Sequence, residues 1–378
     1  MPYRTLLATL ASLAFGSEAL AQGAQTPVPP PDLGSVGTQS FPGLMNPAIS
    51  ANGLFLASLE RQDGALSGPA PGEDEPSNAL YGQGETFGTG LAIQELELQL
   101  TAAVDPYLKA NMILAIPGGE GIEAEEVYLT FTSIPRVLIN VGKMREPFGR
   151  ENLAHTHALL TIDRALISQR VFGAEGQSDM GVNAALLLPL PWYSELILGV
   201  DAGKNEVLYD SGLPGGLGSY ARWKNQGDLG ATGSLELGVS GATGLNAYEG
   251  RSLAGGADLT FRASGRAQNQ WRRLIWQNEL LVMSRENAPD DAQLGGLYST
   301  LELSPSKRVW VGGRFDYVGL FSAEAPTVGA TAIAMFTPTE FSAFRLQAQR
   351  QFLPDNHTVD SLVAQANFTI GTHPAHNY

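Results

Sequence analysis

From Pro47 to Ile370, apolar and polar side chains alternate in runs of roughly ten residues, each closed by turn residues. In one run Leu96, Leu98, Leu100, Ala102 and Val104 share a side, while Glu95, Glu97, Gln99 and Thr101 share the other. Beyond Asp105-Pro106, Leu108, Ala110, Met112 and Leu114 oppose Lys109 and Asn111, and then Val127, Leu129 and Phe131 oppose Glu126, Tyr128 and Thr130. Near the end, Leu362, Ala364, Ala366, Phe368 and Ile370 oppose Gln365, Asn367 and Thr369. A period of two puts successive side chains on opposite faces of a strand, so the chain predicts a long series of one-sided strands. No run of eighteen apolar residues follows position 21, which excludes membrane-spanning helices.

Sixteen such runs are visible, near 47–60, 87–104, 107–116, 122–132, 136–144, 179–188, 193–203, 219–224, 229–240, 252–262, 270–284, 294–304, 308–318, 327–337, 341–352 and 358–370. Alternation of this kind also fits a soluble sandwich, whose apolar faces pack together. The connections separate the two. Even-numbered links are mostly tight (Asp105-Pro106, Ser133 to Pro135, Pro189 to Trp192, Pro305 to Lys307, Pro338 to Glu340), and odd-numbered ones are usually longer (Arg61 to Thr86, Arg145 to Ser178, Lys204 to Gly218, Gly241 to Arg251). Short turns at one end and long loops at the other belong to a membrane barrel. The expectation is an all-β, transmembrane, antiparallel up-and-down β-barrel of about sixteen strands, with fourteen and eighteen as the neighbouring counts. Lipid offers no partner to a strand edge, so the sheet must close, with apolar side chains toward lipid and polar ones toward a watery lumen. Trp192, Tyr193, Trp223, Trp271, Trp276, Trp310, Tyr317 and Phe336 are expected in interfacial girdles.

The start of the chain matches an exported barrel. Met1 to Arg4 form a short start carrying the basic Arg4, Thr5 to Gly16 form an apolar run of twelve, and Ala19-Leu20-Ala21 is a small-x-small cleavage site, so residues 1–21 read as a signal peptide. Residues 22–46, rich in Pro, Gly, Ser and Gln, read as a flexible periplasmic leader, and residues 47–378 as the barrel. There are no cysteines, so stability is expected from a large hydrogen-bonded framework without disulfides. The formal charge of −15 argues against a nucleic-acid partner.

The connection 145–178 combines charge with apolar stretches at Leu159 to Ile162 and Ala165 to Ile167, which a solvated loop does not need. It is expected to fold into the pore, the alternative being a flap with a short helix on the rim. Lys143, Arg145, Arg150, Asp163, Arg164 and Arg170 are the predicted constriction residues. Face assignment puts Glu95, Glu97, Lys109, Glu126, Glu236, Arg273, Glu279, Arg314 and Arg345 on the lumen wall.

Within this region the sequence resembles a family. Gly142-Lys143-Met144-Arg145-Glu146-Pro147-Phe148-Gly149, followed by Asn152, His155, Asp163-Arg164, Glu175-Gly176 and Gly181, is similar to the corresponding segment of the phosphate-selective porin-like outer-membrane superfamily. The tail Gly371-Thr372-His373-Pro374-Ala375-His376-Asn377-Tyr378 is similar to the ends of proteins labelled zinc-regulated TonB-dependent outer-membrane receptors. The resemblance implies one large barrel over nearly the whole mature chain. Phosphate-selective members carry basic lumens, whereas the inner face here also takes Glu195, Asp201, Asp258, Glu302 and Asp316 against Arg262 and the basic residues above. An acidic lumen predicts weak cation preference. A TonB-dependent receptor has a plug, which residues 22–46 are too few to build.

The spacings His155-x-His157 and His373-x-x-His376 permit metal binding, but a complete site needs three or four ligands, and loop packing or hydrogen bonding is the favoured explanation of both pairs. With no Gly-x-Ser-x-Gly elbow and no strand-borne histidine, the reading is not an enzyme, and no cofactor is expected. The expected function is passive diffusion of small polar or ionic solutes through an outer-membrane porin. Metal (zinc)-linked uptake and a non-conducting structural or adhesion barrel are the alternatives. Outer-membrane lipid and the solutes are the expected partners, and a homotrimer suits a pore of this size.

Overall fold

The computed structural model describes residues 47–68, 87–118, 121–205, 207–209, 216–265, 272–289, 292–322 and 325–371. The signal peptide, the leader, Trp271 and the His373/His376 pair lie outside the described residues.

Sixteen long strands follow in order: β1 (Ala48–Gln62), β2 (Gly90–Asp105), β3 (Leu108–Pro117), β4 (Glu123–Ile134), β5 (Val137–Arg145), β6 (Ser178–Leu187), β7 (Tyr193–Asp201), β8 (Gly218–Leu229), β9 (Gly233–Leu245), β10 (Arg251–Ser264), β11 (Arg273–Arg285), β12 (Gln293–Ser306), β13 (Val309–Leu320), β14 (Thr327–Thr339), β15 (Ser342–Phe352) and β16 (Thr358–Gly371). Each pairs antiparallel with its neighbours in the chain, and β1 pairs β16 from Ser50 opposite Gly371 to Gln62 opposite Val359. The sheet is therefore closed, and no strand edge is left to lipid. A two-residue strand, Ala65–Leu66, extends the hairpin at the end of β1. Two-residue links at Pro106-Tyr107, Pro135-Arg136, Lys307-Arg308 and Glu340-Phe341 gather at one end, and the long connections at the other.

One strand is much longer than its sequence pattern. The run 219–224 becomes β8, twelve residues, because Lys224 to Asp228 are polar or small on both faces and hide the alternation. The ladder to β9, from Lys224 opposite Gly238 to Leu229 opposite Gly233, holds them in the sheet regardless.

The barrel is inside out relative to a soluble protein. Phe55, Leu98, Leu129, Val239, Leu301, Phe315, Leu346 and Phe368 are exposed, whereas Glu95, Glu97, Glu195, Arg222, Glu279, Arg314, Asp316 and Gln347 are buried. Such an apolar outer face on a closed sheet is a membrane-spanning surface. Trp192, Trp223, Trp276 and Phe336 are exposed on it. Trp192 and Trp223 donate their indole N–H groups to Asn225 Oδ1 and Ser194 Oγ, both at 3.0 Å, near the short-turn rim. Trp310 corrects the girdle assignment: it points inward and packs with Ile275, Met335 and Ala343. Its place near the start of β13 hid this, since strand-end aromatics are expected at the interface whichever face they occupy.

Two interruptions of register matter for the interior. Opposite β1, Leu54 pairs Glu95 and Phe55 pairs Ile93, leaving Gln94 as an extra residue. Opposite β3, Ile113 pairs Glu126 and Leu114 pairs Ala124, leaving Glu125. A bulge re-aims a side chain that strict alternation would send outward. Gln94 accordingly donates to Ile162 O at 3.1 Å, and Glu125 meets Arg145.

Candidate functional site

Residues 146–177 join β5 to β6 and lie inside the barrel. They carry two single 3-10 turns, Glu151–Leu153 and Thr156–Ala158, and a seven-residue helix α1 (Leu166–Phe172). The loop is held by backbone donors pointed at inward side chains of distant strands. Gly149 N–H donates to Ser240 Oγ of β9 at 3.0 Å, and Arg150 and Glu151 N–H both donate to the Glu279 carboxylate of β11 at 3.2 Å. Ile162 N–H donates to Gln347 Oε1 of β15 at 2.8 Å, and Leu166 N–H to Asp316 Oδ1 of β13 at 3.1 Å. These are loop donors that secondary structure leaves unsatisfied, and the wall satisfies them.

Side-chain packing follows the same logic. Phe148, Ile162, Ile167 and Val171 are at most 1% exposed, and Phe148 meets Phe172 edge-on at 5.1 Å. A Cβ on Gly296 would collide with Tyr317 O in the neighbouring strand and come within 3.0 Å of Ile167, so this glycine serves the packing of the sheet and of the loop together. Gly149 has φ of +65° and its Cβ would collide with Glu279, which ties that turn to glycine twice over.

A guanidinium fixes the centre of the loop. Arg314 Nη2 donates to Asp163 Oδ2 at 2.8 Å and Nε to Asp316 Oδ2 at 2.7 Å, while Gln347 Nε2 donates to Asp163 Oδ1 at 2.7 Å. Arg164 turns back on its own loop and donates to Glu151 O at 3.1 Å and Ala154 O at 2.7 Å. Asn152 closes the base, donating to Glu146 O and Gln177 O and accepting from Gln177 N–H at 2.7 Å. Burial holds the Glu146 carboxyl well above its ordinary range, with Asp201 adding to the effect. Glu151 is also raised by burial, against the opposing pull of Arg314 and Arg164.

The opposite side of the loop faces an acidic wall. Glu95 and Glu97 of β2 and Glu125 and Glu126 of β4 converge on Arg145, Thr156, His155 and His157. Thr156 Oγ1 donates to Glu95 Oε2 at 2.9 Å, and Arg145 N–H to Glu126 Oε1 at 2.8 Å. His155 Nδ1 lies 3.0 Å from Glu125 Oε2 and 3.5 Å from Glu97 Oε2, and His157 Nδ1 lies 3.3 Å from Glu97 Oε2. The Arg345 guanidinium reaches His157 O at 3.2 Å.

The predicted residues thus divide. Arg145 is buried at the end of β5, and Asp163 and Arg164 are buried within the loop. Arg150 is partly exposed, 3.8 Å from Glu236, which also lies 4.0 Å from Arg262. Arg170 is half-buried on α1, and Lys109 half-buried on β3. Arg273 shares the inward register of Ile275 and Glu279 but is exposed at the start of β11. Lys143 corrects the constriction assignment: it pairs Val127 and follows the outward register of Val141, so it cannot line the pore. Proximity to the loop in sequence suggested otherwise, but parity decides. Sequence reading passed over Gln94 and Glu125, which only the bulges turn inward. It also passed over Arg222, which donates to Asp258 Oδ1 at 2.9 Å and whose inward parity was readable from Tyr220 and Lys224.

No family model matches the chain. It is 27% identical over 338 residues to a protein of Aquifex aeolicus described only as uncharacterized, covering 76% of this chain and 70% of that protein. Among solved structures it is similar to an anion-selective porin from Comamonas acidovorans, with a TM-score of 0.56, 10% identity, and 86% of this chain and 100% of that one covered. The outer membrane channel DcaP of Acinetobacter baumannii aligns with a TM-score of 0.55 at 12% identity over 86% of this chain and 98% of that one. OprB of Pseudomonas putida aligns with a TM-score of 0.55 at 9% identity, over 85% and 94%. The fold is that of a porin-like outer-membrane β-barrel.

Proposed function

We propose that the protein is an outer-membrane pore through which small polar or ionic solutes diffuse passively, with a weak preference for cations. The observation that carries this reading is the acidic wall of Glu95, Glu97, Glu125 and Glu126 against which the inner loop lies inside the barrel. Carboxylates lining a narrow passage raise the local concentration of cations and repel anions. In this reading residues 1–21 direct export, residues 22–46 and the short turns lie on the periplasmic side, the belt contacts lipid, and three copies assemble as a trimer.

Planar-bilayer recording of the purified barrel tests it. A small single-channel conductance is expected, with reversal potentials in a salt gradient on the cation side, moving toward zero in Glu95→Gln/Glu97→Gln. Clear anion preference would refute it. The burial of Ile162, Ile167 and Val171 inside the lumen favours a second reading, a barrel sealed by its own loop. Silence from the intact protein, with conductance appearing once residues 150–174 are deleted, would establish that reading instead.

A further inference from the structure

We infer that the cluster of Glu95, Glu97, Glu125, His155 and His157 binds a divalent transition-metal ion of the zinc class. Two sets of three donor atoms, Glu95/Glu97/His157 and Glu97/Glu125/His155, each lie within 4.8 Å of one another and share Glu97. The two imidazoles stack nearly parallel, with 5.9 Å between centroids and 12° between planes, and so present their edges to one stretch of wall.

The separations around Glu97 favour coordination over ion pairing. A charge-assisted N–H···O bond is about 2.7–2.9 Å long, yet Glu97 Oε2 stands 3.5 Å from His155 Nδ1 and 3.3 Å from His157 Nδ1, and Glu126 Oε2 stands 3.6 Å from His155 Nε2. Ligands bound tetrahedrally at about 2.0–2.2 Å from zinc sit about 3.4 Å from each other, close to the two Glu97–histidine separations, while His155 Nδ1 also stands within hydrogen-bond reach of Glu125 Oε2 at 3.0 Å. Charge points the same way. Four wall carboxylates converge here against two guanidinia, Arg145 at Glu125 and Arg345 at His157 O. An ion placed on Glu97 gathers the remaining negative charge with little rearrangement. The ligand types choose the metal, since imidazole nitrogen suits zinc, copper and nickel, whereas calcium and magnesium take oxygen.

The ligands come from separate parts of the chain. Glu95 and Glu97 are neighbours on one face of β2, Glu125 reaches the lumen only through the bulge in β4, and the histidines ride on the 3-10 turn of the inner loop. Metal binding would therefore cross-link the loop to the β2–β4 wall. This inference does not depend on whether the barrel conducts.

Isothermal titration of zinc chloride into the detergent-purified barrel tests it. The wild type is expected to bind one zinc ion saturably, undisturbed by calcium in large excess. Glu97→Gln, and separately His155→Asn/His157→Asn, should each weaken binding by about tenfold or more. Binding by both variants equal to wild type, absence of saturable binding in the wild type, or displacement by equimolar calcium would each overturn it. If a variant does not fold, the zinc X-ray absorption spectrum of the wild type decides: imidazole scattering supports the site, and an oxygen-only shell overturns it.

Discussion

The inner loop has two unlike sides. Toward β9–β16 and β1 it presents Phe148, Ile162, Ile167 and Val171, together with Asp163, which accepts hydrogen bonds from Arg314 at 2.8 Å and Gln347 at 2.7 Å. Toward β2–β4 it presents two histidines to four carboxylates at separations mostly longer than a good hydrogen bond. The first side is built to hold, and the second to receive a cation. In the proposed reading, mechanical attachment and charge selection fall on opposite faces of one segment, so either is open to change without the other.

The largest effect is expected on the holding side. Arg314→Leu strands Asp163 and Asp316 in a buried site, a loss of about 3–5 kcal/mol in loop docking. Protease cleavage within 146–177 should become fast and conductance should rise, while the strand content of the barrel persists. Unchanged protection would mean that the apolar contacts alone suffice, and that the two sides differ less than stated.

A smaller effect comes from pH. Glu146 and Glu151 have folded values raised above the ordinary carboxylate value of 4.5, so the docked loop binds more protons than the undocked one. Docking is therefore tightest below that value and weakens as pH rises through the folded values. Cleavage within the loop should be faster at pH 8 than at pH 5, after correction with an unfolded peptide substrate. The opposite order would show that Glu146 and Glu151 do not govern docking.

The smallest effect is expected at Lys143. Its outward register opposite Val127 predicts that Lys143→Ala leaves conductance and ion preference within the scatter of wild type. A changed reversal potential would place that side chain in the passage and break the assignment of faces.

Alternation along the chain was enough to determine the class of fold, a count of about sixteen strands and the long-short order of the connections, because a pleated strand with lipid on one side imposes its period on the residues directly. The apolar stretches of 145–178 also announced a loop with something to pack against. Three things were decided only by the tertiary structure. Glu125 and Gln94 turn inward through bulges that depend on a mismatch with the partner strand, which no single run records. Trp310 joins the interior and Lys143 the exterior because face is a matter of register and not of neighbourhood in sequence. The meeting of His155 and His157 with Glu95, Glu97 and Glu125 requires the loop to double back across the lumen. Strand periodicity is local and survives in the sequence, whereas a contact between a loop and a wall some 30 to 60 residues earlier exists only once the cylinder has closed.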